Sequence, residues 1–324
     1  MDNPLVSIII PTFNRENLIG ETLDSIAAQT FTDWECLIID DGSTDKSLKL
    51  FGKYNSRDPR FSFYSRPSGM PKGGNTCRNY GFTLSKGKYI KWFDSDDLMY
   101  PDFLEVQVNI LNGNSELDFC ACQWDYFYED NRIVHNFINL VPTKVLSDYF
   151  FNDHVFVTPS PLWNKDFLKD KPLFDPTLFR AQESDFHFRM LTFQPKYQMH
   201  PEFLFRVRRG HPSIESDAKS IQAQVSVMNY FEKAFRRSVE IDFADKSKVQ
   251  DYLAYRVLNQ SANIVSLEEH FVHRLRYISY LRKPWRYIKQ LGPKNTVQFF
   301  LGMVLYIAFR KGYNIVKSAI SQIK

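Results

Sequence analysis

Val6-Ser7-Ile8-Ile9-Ile10-Pro11-Thr12-Phe13-Asn14-Arg15 is the stretch from which the rest of the chain is read. It opens on a short, β-branched apolar run with no polar alternation. Such a run reads as a strand of a parallel sheet, buried on both faces. Pro11 ends it, and polar Thr12, Asn14 and Arg15 follow. Asn14 is placed to cap a helix in which Leu18, Ile19, Leu23 and Ile26 keep helical spacing. The same unit recurs downstream. Residues 36–39 form a second apolar run that ends in Asp40-Asp41-Gly42-Ser43, with Ser43 or Thr44 capping a helix over 46–54. Residues 61–64 form a third short strand. Gly73-Gly74-Asn75 opens a helix through Arg78 to Leu84, and Gly87 breaks it. Residues 89–93 (YIKWF) form a fourth strand, which runs into Asp94-Ser95-Asp96-Asp97. Repeated strand–helix alternation predicts an α/β fold, a parallel sheet covered by helices.

In open sheets of this kind ligands bind at the carboxyl ends of the strands. Polar residues gather there: 11–15 after the first strand, 40–41 after the second and 94–96 after the fourth. Carboxylates dominate this edge and histidines are few. Clustered carboxylates repel one another unless a cation lies between them. Hard oxygen donors suit Mg²⁺ or Mn²⁺, which commonly bridge to substrate phosphates. In an extended segment, D-x-D places both carboxylates on one side. Standing alone, D-x-D reads more readily as a solvated acidic turn or a helix N-cap; the two companion loops tip the reading toward a site. Residues 69–74 contain glycines but match neither a Walker loop nor G-x-G-x-x-G.

Composition sets the outer bounds. The chain has 324 residues, 44% hydrophobic and 24% charged, which excludes a disordered, collagen-like or polytopic membrane protein. Four cysteines make no disulfide scaffold. Cys120-x-Cys122 lacks the partners of a zinc site and reads as buried, reduced thiols. The net charge of +4 hides an asymmetry: residues 271–324 hold eleven Lys and Arg and no acid, leaving 30 basic against 37 acidic residues before them. A basic tail on an acidic body points to an anionic partner. The opening residues lack the pattern of a signal peptide, and no apolar stretch reaches eighteen residues.

Four segments, VSIIIPTFNR (6–15), CLIIDDGSTD (36–45), Arg78-Asn79-x-Gly81 and YIKWFDSDD (89–97), resemble, in order and spacing, the successive motifs of the family-2 glycosyltransferases. The resemblance covers about the first 215 residues. It implies the GT-A nucleotide-sugar fold, with a mixed, mostly parallel sheet, a donor half over about 1–100 and an acceptor half over about 101–215. It also implies a nucleoside-diphosphate sugar donor and inversion at the anomeric carbon. Asp41 then contacts the nucleobase, with Pro11, Thr12, Asn14 and Arg15 on the loop beside it and Arg78 facing the diphosphate. Asp96 becomes the metal ligand, Asp94 a contact to ribose, metal-bound water or the metal itself, with Ser95 between them. Mn²⁺ or Mg²⁺ is the implied cofactor. The catalytic base comes from residues 181–189, where Glu183 takes its position and Asp185 is the rival, although Asp185 and Arg189 also have the spacing of a helical ion pair. Residues 206–213 resemble a basic loop that closes over the donor, which makes His211 a further metal-ligand candidate. Aromatics within 142–171 (Tyr149, Phe150, Phe151, Phe156, Trp163) read either as sugar-stacking platforms or as core.

Residues 216–324 read as a helical region. The apolar run 297–309 has thirteen residues, roughly 20 Å as a helix, against a hydrocarbon core of about 30 Å. With its cationic flanks it suits the plane of an anionic membrane surface. The expected protein is a cytoplasmic, peripheral glycosyltransferase of surface polysaccharide synthesis acting on a glycan or lipid-linked acceptor, with homo-oligomerisation left open. A nucleic-acid binder is disfavoured by the absence of zinc, RNP and helix-turn-helix signatures. The competing class is a catalytically silent GT-A partner subunit or sugar-nucleotide-binding protein, which keeping Asp41, Asp94, Asp96 and Glu183 argues against.

Overall fold

The structure is a computed structural model that describes residues 3–130, 132–138, 140–141, 144–151, 157–210, 220–267, 287, 292–309 and 313–321. The chain forms two compact units, one of residues 1–176 and 182–211, the other of residues 177–181 and 212–324.

The first unit alternates β1 (Val6–Thr12), α1 (Ile19–Ala27), β2 (Trp34–Asp40), α2 (Ser47–Arg57), β3 (Phe61–Ser65), α3 (Gly74–Leu84) and β4 (Tyr89–Trp92). There follow β5 (Leu98–Met99), α4 (Phe103–Gly113), β6 (Phe119–Tyr128), β7 (Ile133–Asn136), α5 (Val145–Phe151), β8 (Leu162–Asn164), α6 (Lys165–Leu168), α7 (Gln182–Leu191) and β9 (Tyr197–Arg209). Among the described residues these strands form one sheet in the order β3-β2-β1-β4-β8-β6-β9-β5, with β7 on β6. The block β3-β2-β1-β4 is wholly parallel. The long β6–β9 pairing is parallel too, while β8, β7 and β5 pair antiparallel. The sheet is mixed, and parallel along most of its ladder.

The unalternating apolar runs are explained by cover on both faces. Val6, Ile8, Ile10, Cys36 and Ile38 join Ile19, Leu23 and Ile26 of α1, Phe51 of α2, and Phe103, Leu104 and Val108 of α4 in one core. Ile9 and Ile39 face the other way, toward α3. A Cβ on Gly81 would lie 3.2 Å from Ile39 Cγ1 and closer still to Ile9 Cγ2, so glycine lets that helix lie close on the sheet. Contrary to the sequence reading, β1 continues through Pro11 to Thr12. The missing N–H is tolerated because β4 pairs only as far as Ile9; beyond it, among the described residues, Pro11 has β2 alone as a strand neighbour.

Cys120 and Cys122 are buried, as are the other two cysteines, and all four are free thiols. Trp163 belongs to the core, 4.2 Å centroid to centroid from Phe119 and 5.7 Å from Phe186. Tyr149 and Phe150 are also buried, whereas Phe151 is exposed. Phe156 lies outside the described residues.

The second unit contains α8 (Ile221–Glu240), α9 (Lys246–Leu267), α10 (Gly292–Phe309) and α11 (Tyr313–Ile320). Ser220 caps α8 by accepting the Ala223 N–H at 3.1 Å. Residues 177–181 lie along α8, where Ser226 Oγ accepts from Arg180 N at 2.8 Å and donates to Arg180 O at 3.0 Å. Tyr313 donates to Asn263 Oδ1 at 2.8 Å, and Lys317 Nζ donates to Asn259 and Asn263. Phe299, Met303 and Ile307 of α10 are buried, while Val297, Leu301 and Val304 are exposed. No helix among the described residues is long and apolar enough to cross a membrane.

Candidate functional site

Parallel strands in register bring their following loops together. Thr12 pairs with Asp40 at the ends of β1 and β2, and Asp41 N donates to Thr12 O at 2.9 Å. Asp40 shapes the turn, because its Oδ2 accepts from Gly42 N at 2.9 Å and Ser43 N at 3.0 Å. Asp41 points toward the third loop instead. Its Oδ1 accepts from Arg66 Nε and its Oδ2 accepts from Gly73 N at 2.8 Å. Arg66, directly after β3, is a residue that the sequence reading missed. The signal was present: it is the first cation beyond the strand that pairs with β2.

Asn14 does not cap α1. Its φ is +49°, a left-handed backbone that Asn accepts more readily than most residues. From there its N–H donates to Ser43 Oγ at 2.9 Å, and its Oδ1 accepts from Thr44 N at 2.8 Å. Arg15 N donates to Ser47 Oγ at 3.0 Å. Asn14, Ser43 and Thr44 therefore bind the first two loops to each other rather than starting helices.

The acidic loop after β4 is a turn, not the extended segment that sequence spacing suggested. Its carboxylates consequently go to different cations. Asp94 Oδ1 accepts from Arg78 at 2.8 Å, and Asp96 Oδ2 lies 3.7 Å from Arg15 Nε. The buried Asp97 accepts from Arg208 N at 3.0 Å, and Arg208 Nε donates to Asp96 O at 3.0 Å. Burial pushes the Asp94 carboxyl above its ordinary range; Arg78 opposes this and Asp96 adds to it. Asp97 is raised further, by burial and then by Asp96 and Asp94. Three carboxylates within four residues thus repel one another, with Asp97 buried and Asp94 and Asp96 partly open to solvent.

Residues 206–209 are not a loop but the end of β9. Leu98 and Met99 of β5 pair with Arg206 and Phe205, which seats Arg208 behind the acidic turn. Its guanidinium also donates to Glu21 at 2.8 Å. His211 lies outside the described residues.

The N-terminus of α7 reaches the same loops through Arg78, whose guanidinium also donates to Gln182 Oε1 at 3.0 Å. Glu183 follows at the positive end of the helix, where a carboxylate is favoured. Its Oε2 accepts from Thr158 N at 3.0 Å and Thr158 Oγ1 at 3.2 Å. The rival Asp185 is buried and bound to Arg189 Nε at 2.9 Å and to a terminal Arg189 nitrogen at 2.7 Å. Arg189 also donates to the carbonyls of Pro172 and Leu173. Asp185 is thereby the helical ion pair that its spacing allowed.

Comparison with known proteins places these features in a family. The model described as glycosyl transferase family 2 matches residues 7–169. An uncharacterised glycosyltransferase of Methanocaldococcus jannaschii is 32% identical over 212 residues, 64% of this chain and 72% of that protein. Of several other curated relatives the chain spans only about a third. Among solved structures, S. aureus TarS 1–349 in complex with UDP-GlcNAc has a TM-score of 0.70 at 17% identity, covering 98% of this chain and 91% of that one. Mannosyltransferase PcManGT from Pyrobaculum calidifontis, in complex with GDP-Man and Mn²⁺, has a TM-score of 0.55 at 16% identity, covering 100% and 86%. The fold is that of the GT-A glycosyltransferases.

Proposed function

Since the chain belongs to glycosyl transferase family 2, we propose that it is an inverting enzyme that moves a sugar from a nucleoside-diphosphate sugar to a hydroxyl of a glycan or lipid-linked acceptor. The observation that carries this reading is the double engagement of Arg78. It draws Asp94 of the acidic turn and Gln182, the neighbour of Glu183, onto one guanidinium. Nucleotide-sugar donors in the TarS and PcManGT complexes support the choice of donor.

The roles follow from chemistry. Asp41 retains acceptor capacity beyond its bonds to Arg66 and Gly73, since each carboxylate oxygen has more than one acceptor direction; that suits the N–H edge of a nucleobase. Pro11, Thr12, Asn14, Arg15 and Ser95 line the donor side. Glu183 takes the acceptor proton as the acceptor oxygen bonds to the anomeric carbon. The bond from that carbon to the diphosphate breaks, and the electron pair leaves with the nucleoside diphosphate. Attack from the face opposite the leaving group inverts the configuration.

Asp96 and Asp94 fit Mg²⁺ or Mn²⁺. Among the described residues no three His, Cys, Asp or Glu side chains converge as a ready-made cage, and such cations need only one or two carboxylates when substrate phosphates complete the shell. When bound, the cation neutralises charge on the departing diphosphate. Catalysis is assigned to residues 1–215. The helical region from 216 is assigned to contact with the cytoplasmic face of an anionic membrane, supported by its basic tail and by the exposed Val297, Leu301 and Val304.

The test is Glu183→Gln. Transfer should fall by at least about a hundredfold, with donor binding, read by thermal shift, nearly intact. Normal turnover would show that Glu183 is not the base.

A further inference from the structure

Lys91 is fully buried on β4, three residues before the acidic turn. A core lysine forfeits hydration that apolar packing would not require. Here its Nζ donates to Gln107 Oε1 at 2.5 Å, to Pro159 O at 3.0 Å and to Ser160 O at 3.3 Å, and lies 4.1 Å from the Phe103 ring centroid. Three carbonyl oxygens use all three ammonium donors. Gln107 Nε2 also donates to Ser160 O at 2.9 Å, and Ser160 Oγ accepts from Cys122 N at 3.0 Å and donates to Cys122 O at 2.7 Å. Residues 159–160 are thus fastened to α4, β4 and β6 at once.

The residue next to this anchor is Thr158, whose N–H and hydroxyl both hold Glu183 Oε2. We propose that residues 158–160 form a strut that fixes the carboxylate of Glu183, with Thr158 as the positioning residue and Lys91 as the anchor of the strut. The inference rests on Glu183 being the base. It adds a purpose for a buried lysine on the strand that also delivers Asp94 and Asp96: one strand sets both the acidic turn and, through the strut, the carboxylate across from it.

Both Thr158 bonds favour the ionised carboxylate, so losing one raises its pKa. Thr158→Val keeps the shape and the N–H but removes the hydroxyl. Its kcat should fall about tenfold with donor and acceptor KM unchanged, and the acid limb of the kcat–pH profile should move to higher pH. Thr158→Ser, which keeps a hydroxyl, should restore both. Lys91→Met, with Thr158 in place, should shift the limb in the same direction. If Glu183→Gln is inactive while Thr158→Val matches wild type in kcat and acid limb, the strut is overturned and the base stands. If Glu183→Gln turns over normally, the base and the strut fall together. Wild-type kcat and acid limb in Lys91→Met overturn the anchor alone.

Discussion

Two acidic residues two positions apart on α7 have opposite fates. Glu183 accepts from the Thr158 N–H and hydroxyl, whereas the buried Asp185 is taken up by the partly exposed Arg189 guanidinium. Asp185→Asn should therefore act on stability. It leaves Arg189 short of its counter-ion, at a cost of about 3 kcal/mol, read as a lower urea midpoint with kcat of the folded fraction retained. A collapse of kcat at unchanged stability would instead make Asp185 the base. Lys91 supplies a pH test. Burial pushes its pKa down to about 7, against the opposing influence of Cys122 and Cys120. From about pH 7 to the ordinary lysine value of 10.5 the unfolded chain binds a proton that the folded chain does not, so stability rises with pH. The unfolding free energy of wild type relative to Lys91→Met should climb across that window; a flat difference from pH 6 to 10 contradicts it. Among single residues, the acids could be named as candidates because type and spacing carry their chemistry. Arg66 and Thr158 were not, since their importance lies in what touches them: Arg66 reaches Asp41 across 25 positions, and Thr158 reaches Glu183 across the same number.

At the scale of elements, β1, β2 and β4 could be read because burial on both faces leaves an unmistakable apolar run. β5 and β9 could not. β5 has only two residues, and β9 carries Glu202, Arg206, Arg208 and Arg209, charges that suggest a loop. Partner strands, rather than local pattern, make them strands. The opposite holds for α10, whose sequence is apolar on nearly every side. Its Phe299, Met303 and Ile307 are buried, which leaves Val297, Leu301 and Val304 at spacings of four and three along an exposed stripe. If that stripe enters a lipid interface, replacing all three by Ser removes about 1.5–3 kcal/mol of burial per side chain at most. Sedimentation with anionic vesicles should drop more than tenfold, while zwitterionic vesicles should bind neither protein well. Equal sedimentation by the triple variant refutes the insertion, and a changed oligomeric state would assign the stripe to a second copy.

For the molecule as a whole, donor and cation binding are expected to be linked through the acidic turn. A nucleoside-diphosphate sugar with Mn²⁺ should raise the melting temperature through mass action, and Asp96→Asn should abolish the Mn²⁺-dependent part. A shift equal in both proteins would remove Asp96 from the cation site. The backing of that turn has a further consequence, one of timing. Arg208 grips the backbone of Asp96 from 112 positions later in the chain. At a synthesis rate of about 5–20 residues per second, the ribosome makes the acidic turn some 6–20 s before the strand that supports it. The early β-α units can pack during that interval, but the turn has no backing until β9 arrives. A nascent chain therefore carries the acidic turn for many seconds without its support, and on the proposed function competence to use donor comes as a late event of biosynthesis.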